Sequence, residues 1–158
     1  MAILTGMSGA ALALLLQTQA PPVQFNTDHA AATDPCIAQF KTSIETNSVS
    51  DEEWKAIITC VFANTAVQMD SELPKKIDEI TTLVSVSSDG PTFKYVYVLD
   101  VLASDVQQQN IDSLRAATRQ NACTTESMTR TMSLGGSYFY RWVDRQGTLL
   151  TTMLIEGC

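Results

Sequence analysis

Hydrophobic and polar residues alternate along two stretches of the chain, residues 80–101 and residues 134–158. In each stretch a turn signal separates two alternating runs: Asp89 and Gly90 in the first, and residues 144–147 in the second. Alternation at period two places successive side chains on opposite faces of a strand. Each stretch therefore predicts a β-hairpin, and the chain is expected to contain two of them.

The segment before the first hairpin predicts two helices joined by a short turn. Ser50 and Glu53 have the spacing of a capping box, in which each side chain accepts a hydrogen bond from the other residue's backbone N–H. The helix they begin is expected to reach residue 69, and its apolar stripe consists of Trp54, Ile57, Ile58, Val61, Phe62 and Thr65. Asp34 and Pro35 are suited to starting the preceding helix, which ends near Ser48. Together they predict a helical hairpin.

Helical periodicity returns between the two predicted β-hairpins. Ser104 or Asp105 is expected to begin a helix that ends near Asn121, with an inner face of Val106, Ile111, Leu114 and Ala117. Residues 124–134 predict one or two further helical turns, with Met128 and Met132 directed inward. The predicted fold class is α+β: an N-terminal helical hairpin, then helix-separated β-hairpins that form a small antiparallel sheet.

The beginning of the chain has the character of an export signal. Residues 1–20 contain no charged side chain and include an apolar run at residues 10–16, so they predict a signal peptide. Residues 21–33 predict a flexible leader, and residues 34–158 a single domain. The alternatives are an uncleaved anchor or a buried N-terminal helix, although the run is shorter than the roughly 20 residues that span a membrane. We expect a periplasmic or secreted protein without stable membrane insertion after signal removal.

Four cysteines, an even number, predict two disulfides in an exported domain. Cys36 lies 12 residues before the turn near Ser48 (48 − 36), and Cys60 lies 12 residues after it (60 − 48). The two should therefore stand at the same level on facing helices. This favours Cys36–Cys60 among the three possible connectivities and leaves Cys123–Cys158 as the second bond.

Composition and spacing disfavour several classes of function. The net charge of −7 and the scattering of 10 basic residues disfavour nucleic-acid binding. The single histidine, His29, lies in the predicted leader, and paired cysteines offer no thiolate, so no catalytic residue, metal site or cofactor is predicted. Carboxylate pairs are the remaining catalytic possibility, although solvated surface charge is the favoured interpretation: Asp78 with Glu79, Asp100 with Asp105, and Asp144 with Glu156.

A Tyr-x-Tyr stripe occurs in both predicted hairpins, at Tyr95 and Tyr97 and again at Tyr138, Tyr140 and Trp142. The stripes either form an exposed platform for a partner or pack in the core. Core packing is favoured because the other face of the strands carries charged residues. The predicted binding residues of the charged face are Lys94, Arg141 and Asp144. Tyr138 and Tyr140 of the stripe are added to them, since their hydroxyls are expected to reach toward the rim.

The order Leu73-Pro74, Tyr95-x-Tyr97, Cys123 and Gly136-x-Tyr138-x-Tyr140-x-x-Asp144-x-x-Gly147 resembles small exported bacterial proteins of unknown function with a duplicated Tyr-x-Tyr hairpin pattern. The resemblance covers about residues 73–158. It implies an exported bacterial protein with a duplicated hairpin, and it implies no activity or catalytic residue.

These observations favour a non-enzymatic interaction protein, exported and linked by disulfides, with a protein as its partner. An inhibitor or immunity-type protein is one form of this hypothesis, and an accessory subunit of a cell-envelope complex is another. The alternatives are a small hydrolase using paired carboxylates and a carrier of a small apolar ligand.

Overall fold

The computed structural model describes residues 35–158, which form α-helices packed on a five-stranded sheet. The helices are α1 (Pro35–Ala38), α2 (Lys41–Glu45), α3 (Asp51–Asp70), α4 (Gln108–Thr124) and α5 (Glu126–Ser133), with a short 3-10 helix at Ala103–Asp105. The strands are β1 (Lys75–Lys76), β2 (Thr81–Asp89), β3 (Thr92–Leu99), β4 (Ser137–Asp144) and β5 (Leu149–Ile155). The α+β class is confirmed. The predicted signal peptide, leader and Asp34 cap lie outside the described residues.

Both predicted hairpins are present, as β2–β3 and β4–β5, and the strand order in space is β1-β2-β3-β4-β5. β3 and β4 pair in parallel, so the sheet is mixed, whereas the alternation predicts an antiparallel one. The connection through α4 and α5 explains the difference. It returns the chain to the end of the sheet where β3 began, so β4 runs in the same direction as β3.

Helix α3 begins with the predicted capping box. The Ser50 hydroxyl accepts a hydrogen bond from the Glu53 N–H at 3.2 Å, and the Glu53 carboxylate accepts one from the Ser50 N–H at 2.8 Å. These bonds satisfy two N–H groups that otherwise lack helical partners. The hydrogen bond from Ser50 and a second one from the Ser43 hydroxyl hold the pKa of Glu53 below its usual value.

The segment before α3 is two short helices, α1 and α2, in place of the single predicted helix. A turn at residues 39–40 separates them, in which the Phe40 N–H donates to the Ile37 carbonyl oxygen. The Cys36–Cys60 disulfide joins α1 to α3 with 5.6 Å between the Cα atoms. The two cysteines therefore face each other, as the spacing about the turn predicts.

One face of the sheet forms the core together with α3, α4 and α5. Phe62 of α3 is fully buried and packs against Phe93 of β3 and Tyr138 of β4, with ring centroids 5.2 and 5.7 Å away. Met128 and Met132 are buried as predicted. The core cluster takes alternate residues of β3, β4 and β5, and from β2 it takes two residues on either side of a bulge. Its strand members are Leu83, Val86, Phe93, Tyr95, Tyr97, Leu99, Tyr138, Tyr140, Trp142, Met153 and Ile155.

Helix α4 differs from its prediction at both ends and on its inner face. It begins at Gln108, because Ser104 and Asp105 form the 3-10 helix, and it continues past Asn121 to Thr124. Its buried residues are Leu114, Thr118 and Ala122; Val106, Ile111 and Ala117 of the predicted face are half-buried. The helix is therefore rotated from the predicted orientation, toward small side chains that allow close packing on β5.

Three residues of α4 spaced four apart contact the outer side of β5 and the chain end. Arg115 donates to the Thr152 carbonyl oxygen at 3.1 Å, and Arg119 donates to the Gly157 carbonyl oxygen at 3.0 Å. One turn later, Cys123 forms the predicted disulfide with Cys158. A spacing of four keeps all three side chains on one side of the helix. The last strand is thus joined to α4 by two guanidinium contacts and a covalent bond.

Candidate functional site

The two tyrosines among the predicted binding residues lie in the core. Tyr138 is 0% exposed and Tyr140 is 4% exposed. The parallel register places Tyr95 beside Tyr140 and Tyr97 beside Trp142, so the two stripes meet face to face. The centroids of these ring pairs are 5.2 and 6.2 Å apart, with interplanar angles of 18° and 17°. Core packing of the stripes is confirmed, and neither tyrosine offers a surface to a partner.

Burial determines the chemistry of these hydroxyl groups. It raises the pKa of Tyr95, Tyr138 and Tyr140, so all three stay neutral in the physiological range. The nearby Thr131 hydroxyl reduces the rise in the pKa of Tyr138. Thr131 donates its own hydrogen bond to the Ser127 carbonyl oxygen. Among residues 35–158, the Tyr138 hydroxyl finds no hydrogen-bond partner. The aromatic stripe is therefore part of the packed core. Its rings fill the space between the helices and strands β3 and β4, which argues against a ligand-carrying cavity there.

Asp144 was predicted on the charged face, and the structure corrects that placement. It pairs with Leu99, shares the core side with Trp142, and is 2% exposed. One carboxylate oxygen accepts from the N–H groups of Gln146 and Thr148 at 2.8 and 2.7 Å. The other accepts from the Ala103 N–H at 3.0 Å. The side chain thus holds the β4–β5 turn and connects it to the segment after β3.

The same contacts determine how Asp144 titrates. Burial by itself raises the pKa, but the hydrogen bonds from the backbone of Ala103, Thr148 and Gln146 outweigh it and hold the pKa below the usual 3.8. A carboxyl with a lowered folded-state pKa stabilises the fold fully above its unfolded-state pKa. That contribution is lost as the pH falls through the folded-state value.

We expect Asp144→Asn to lower the thermal midpoint at pH 7, since the amide NH2 replaces one acceptor and leaves a buried N–H without a partner. The difference from wild type should narrow as the pH falls below 3.8, because the wild-type carboxylate is then progressively protonated. Thermal unfolding monitored by circular dichroism from pH 7 to pH 2 measures both effects. Asp100→Asn, at an exposed carboxylate, is the control; equal midpoints for the two variants would contradict the role assigned to Asp144.

Other members of the candidate carboxylate pairs also have structural partners. One oxygen of Asp78 accepts from the N–H groups of Ile80 and Thr81 at 2.9 and 2.8 Å and so shapes the entry to β2. Asp100 lies 3.9 Å from Arg145. These acids act as turn acceptors or surface ion-pair partners. Their use in turns weakens the case for a hydrolase based on paired carboxylates.

The second face of the sheet, opposite the helices, is called the open face. Cross-strand pairing assigns its rows: one crosses β2 to β5 through Ser87, Lys94, Phe139 and Leu154, and the next through Ser85, Val96, Arg141 and Thr152. A third row is formed by Lys76, Thr82, Val98, Val143 and Leu149. None of these residues belongs to the core cluster of the described helices and strands.

Lys94 and Arg141, the other predicted binding residues, both lie on the open face. Lys94 forms an ion pair with Asp89 at 2.9 Å, which lowers the pKa of Asp89. Arg141 is exposed and has no ion pair within residues 35–158. Leu149 and Leu154 of the same face are 53% and 48% exposed. Period-two alternation in the sequence predicts that Lys94 and Arg141 share a face. Which apolar side chains lie next to them is determined by the strand pairing, which the sequence pattern does not show.

Within the part of the chain that the structure describes, no cluster of three or more His, Cys, Asp or Glu side chains is arranged to hold a metal ion. Among residues 35–158, no helix combines the length and apolar character needed to cross a membrane.

The fold is shared with solved structures, although no protein-family model and no curated protein matches the sequence significantly. The chain is similar to the pilotin EpsS of the Vibrio vulnificus type 2 secretion system, with a TM-score of 0.57 and 13% identity over 66% of this chain and 92% of that chain. A Pseudomonas aeruginosa protein described as secreted has a TM-score of 0.56 and 13% identity over 65% and 91%. The type II secretion pilotin AspS of Vibrio cholerae has a TM-score of 0.52 and 15% identity over 66% and 93%. At these identities the similarity shows the fold.

Proposed function

We propose that this protein is an exported accessory subunit of a bacterial cell-envelope complex, in which it binds another protein. The observation that carries the proposal is the fold it shares with two pilotins of type II secretion systems and with a protein described as secreted. Nearly the whole length of each neighbour is matched. The two disulfides support an oxidising compartment such as the periplasm or the cell exterior.

The structure offers features that suit binding better than catalysis. Its aromatic stripe is buried, the carboxylates of Asp78 and Asp144 hold turns, and its open face presents cations and apolar side chains together. An exposed mixture of this kind is typical of a protein-binding surface. This combination favours the accessory-subunit hypothesis over the hydrolase.

An affinity capture tests the proposal. The full chain, tagged at its C-terminus and produced in its own organism, is crosslinked in living cells and purified from the envelope fraction, and captured proteins are identified by mass spectrometry. We expect subunits of one envelope complex to be enriched, and a mature N-terminus near Pro21. An unrelated exported protein with the same tag is the control. Enrichment no greater than in this control, or retention of the intact N-terminus in the cytoplasm, would refute the proposal.

A further inference from the structure

We propose that the open face is the docking surface for the protein partner, and that it takes an acidic segment carrying apolar side chains. This inference rests on the proposed function and specifies the surface and the chemistry of the partner.

Apolar side chains occupy the middle of the open face and continue to one edge. Val96 and Val98 of β3 are half-buried, as is Phe139 on the neighbouring strand β4. Leu154 continues the row of Phe139 onto β5, and Leu149 lies beside Val143. Val143 is already buried, so a ligand lying across the strands would remove from water chiefly the exposed area of Leu149 and Leu154 and the exposed parts of Val96, Val98 and Phe139. Removing apolar area from water is the main favourable term in association.

The cations of the face lie within these apolar rows. Lys94 is paired across the strands with Phe139, and Arg141 is paired with Val96. Each positive charge therefore borders apolar area directly. A partner segment that covers the apolar side chains also brings its own charged groups within reach of both cations. The sign of the partner's charge therefore decides whether it binds.

The charge of the open face is opposite to that of the chain. The chain carries 17 acidic and 10 basic residues. Within the described strands, Lys76, Lys94 and Arg141 lie on this face, and Asp89 is the acidic residue there, already paired with Lys94. This charge complementarity favours an acidic occupant. A second copy of the chain would bring the same cations together if the two open faces met, and is therefore disfavoured.

Two synthetic peptides provide the probe. Each has about 14 residues, long enough as a helix to cross the roughly 20 Å of a five-stranded sheet. They share the same leucine positions; one carries Glu and the other Lys at the remaining positions. The folded protein, labelled at its Val and Leu methyl groups, is titrated with each peptide and followed by NMR.

We expect the Glu peptide to shift the methyl signals of Val96, Val98, Leu149 and Leu154, and the Lys peptide to shift them much less. Lys94→Glu combined with Arg141→Glu should weaken binding of the Glu peptide by about tenfold or more, since like charges then meet. Lys41→Glu combined with Arg130→Glu changes the net charge of the protein by the same amount, but on the helices and away from the open face. This control should leave binding of the Glu peptide unchanged. Retained methyl dispersion shows that each double variant is folded.

Equal shifts by both peptides, shifts confined to the helices, or equal effects of the two double variants would overturn the inference. So would concentration-dependent dimerisation through the open face in the absence of peptide. The same variants in the envelope capture separate this inference from the proposed function. If the open-face variant still captures the partner, the inference fails and the function stands. If the peptide binds as expected and no envelope partner is captured, the proposed function fails.

Discussion

Replacing Phe62 by alanine is expected to lower the free energy of unfolding by about 3 to 5 kcal/mol, the usual cost of removing a buried phenylalanine. The side chain is fully buried where α3 meets the sheet, and it touches rings of both hairpins, Phe93 on β3 and Tyr138 on β4. Its loss leaves a cavity beside Phe93 and Tyr138. Phe93 cannot move into it easily, because it packs against Tyr95, which in turn stacks on Tyr140. Chemical denaturation with the disulfides intact measures the change.

Val67→Ala is the matched control for this prediction. Val67 lies on the same helix and is 74% exposed, so its truncation should change stability by no more than about 0.5 kcal/mol. If Phe62→Ala fails to accumulate as folded protein, Phe62→Leu gives a smaller loss in the same direction. Equal effects of the Phe62 and Val67 substitutions would show that the contact between α3 and the hairpins does not hold the layers together.

Removing the Cys123–Cys158 disulfide, by replacing both cysteines with serine, should lower the free energy of unfolding by about 2 to 4 kcal/mol. The bond closes a loop with a sequence separation of 35 and fixes the end of β5 against α4. Without it, the two guanidinium contacts of Arg115 and Arg119 are left to hold an edge strand whose outer backbone groups otherwise face water. Denaturant unfolding and hydrogen exchange of β5 measure the loss.

The double serine variant at Cys36 and Cys60 provides the comparison. This bond spans a sequence separation of 24, so loop closure alone predicts a loss of similar size. The structure predicts a smaller one, since α1 and α2 contribute no strand and their residues lie outside the core cluster of α3 to α5 and the sheet. Equal losses for the two variants would favour the loop-closure explanation, and a larger loss at Cys36–Cys60 would contradict the structural one.

Features governed by neighbouring residues could be predicted from the sequence. The Ser50–Glu53 capping box depends on two side chains three residues apart, and the structure contains it. Alternation in β3 assigned its buried face correctly, because one side chain in two must meet the core. The pairing of Cys36 with Cys60 follows from counting residues on each side of one turn. The disulfide forms although the predicted first helix is divided into α1 and α2.

Features that depend on the path of the chain in space were beyond the sequence pattern. A hairpin pattern says nothing about which strand of one hairpin meets which strand of the other, so the parallel pairing of β3 with β4 was missed. Without the strand pairing, the sequence pattern also does not show that apolar side chains meet in the middle of the open face. Val96 and Phe139 lie on neighbouring strands there, although their hairpins are about 40 residues apart in the chain. The two-residue strand β1 has no pattern to detect, since both of its residues are exposed lysines.

Asp144 was misplaced although the sequence contained the signal that places it. Its position has the same parity as Tyr138, Tyr140 and Trp142, which puts it on the core side of β4. An aspartate at the end of a strand, with glycine three residues later, is also typical of a turn in which the carboxylate accepts backbone N–H groups. Charge suggested exposure, and the turn chemistry decided the outcome.

The stacked rings around Trp142 give this protein an internal optical reporter. Trp142 is 3% exposed, and the rings of Tyr140 and Tyr97 lie 5.6 and 6.2 Å from it in nearly parallel orientation. At such separations tyrosines pass excitation energy to the indole, and the coupled rings contribute to the near-ultraviolet dichroism that vanishes when fixed packing is lost. Trp54, half-buried on α3, emits from a wetter environment. Loss of the near-ultraviolet dichroism therefore reports loosening of the sheet around Trp142 without any added label, whereas fraying of the helix around Trp54 should leave most of this signal in place.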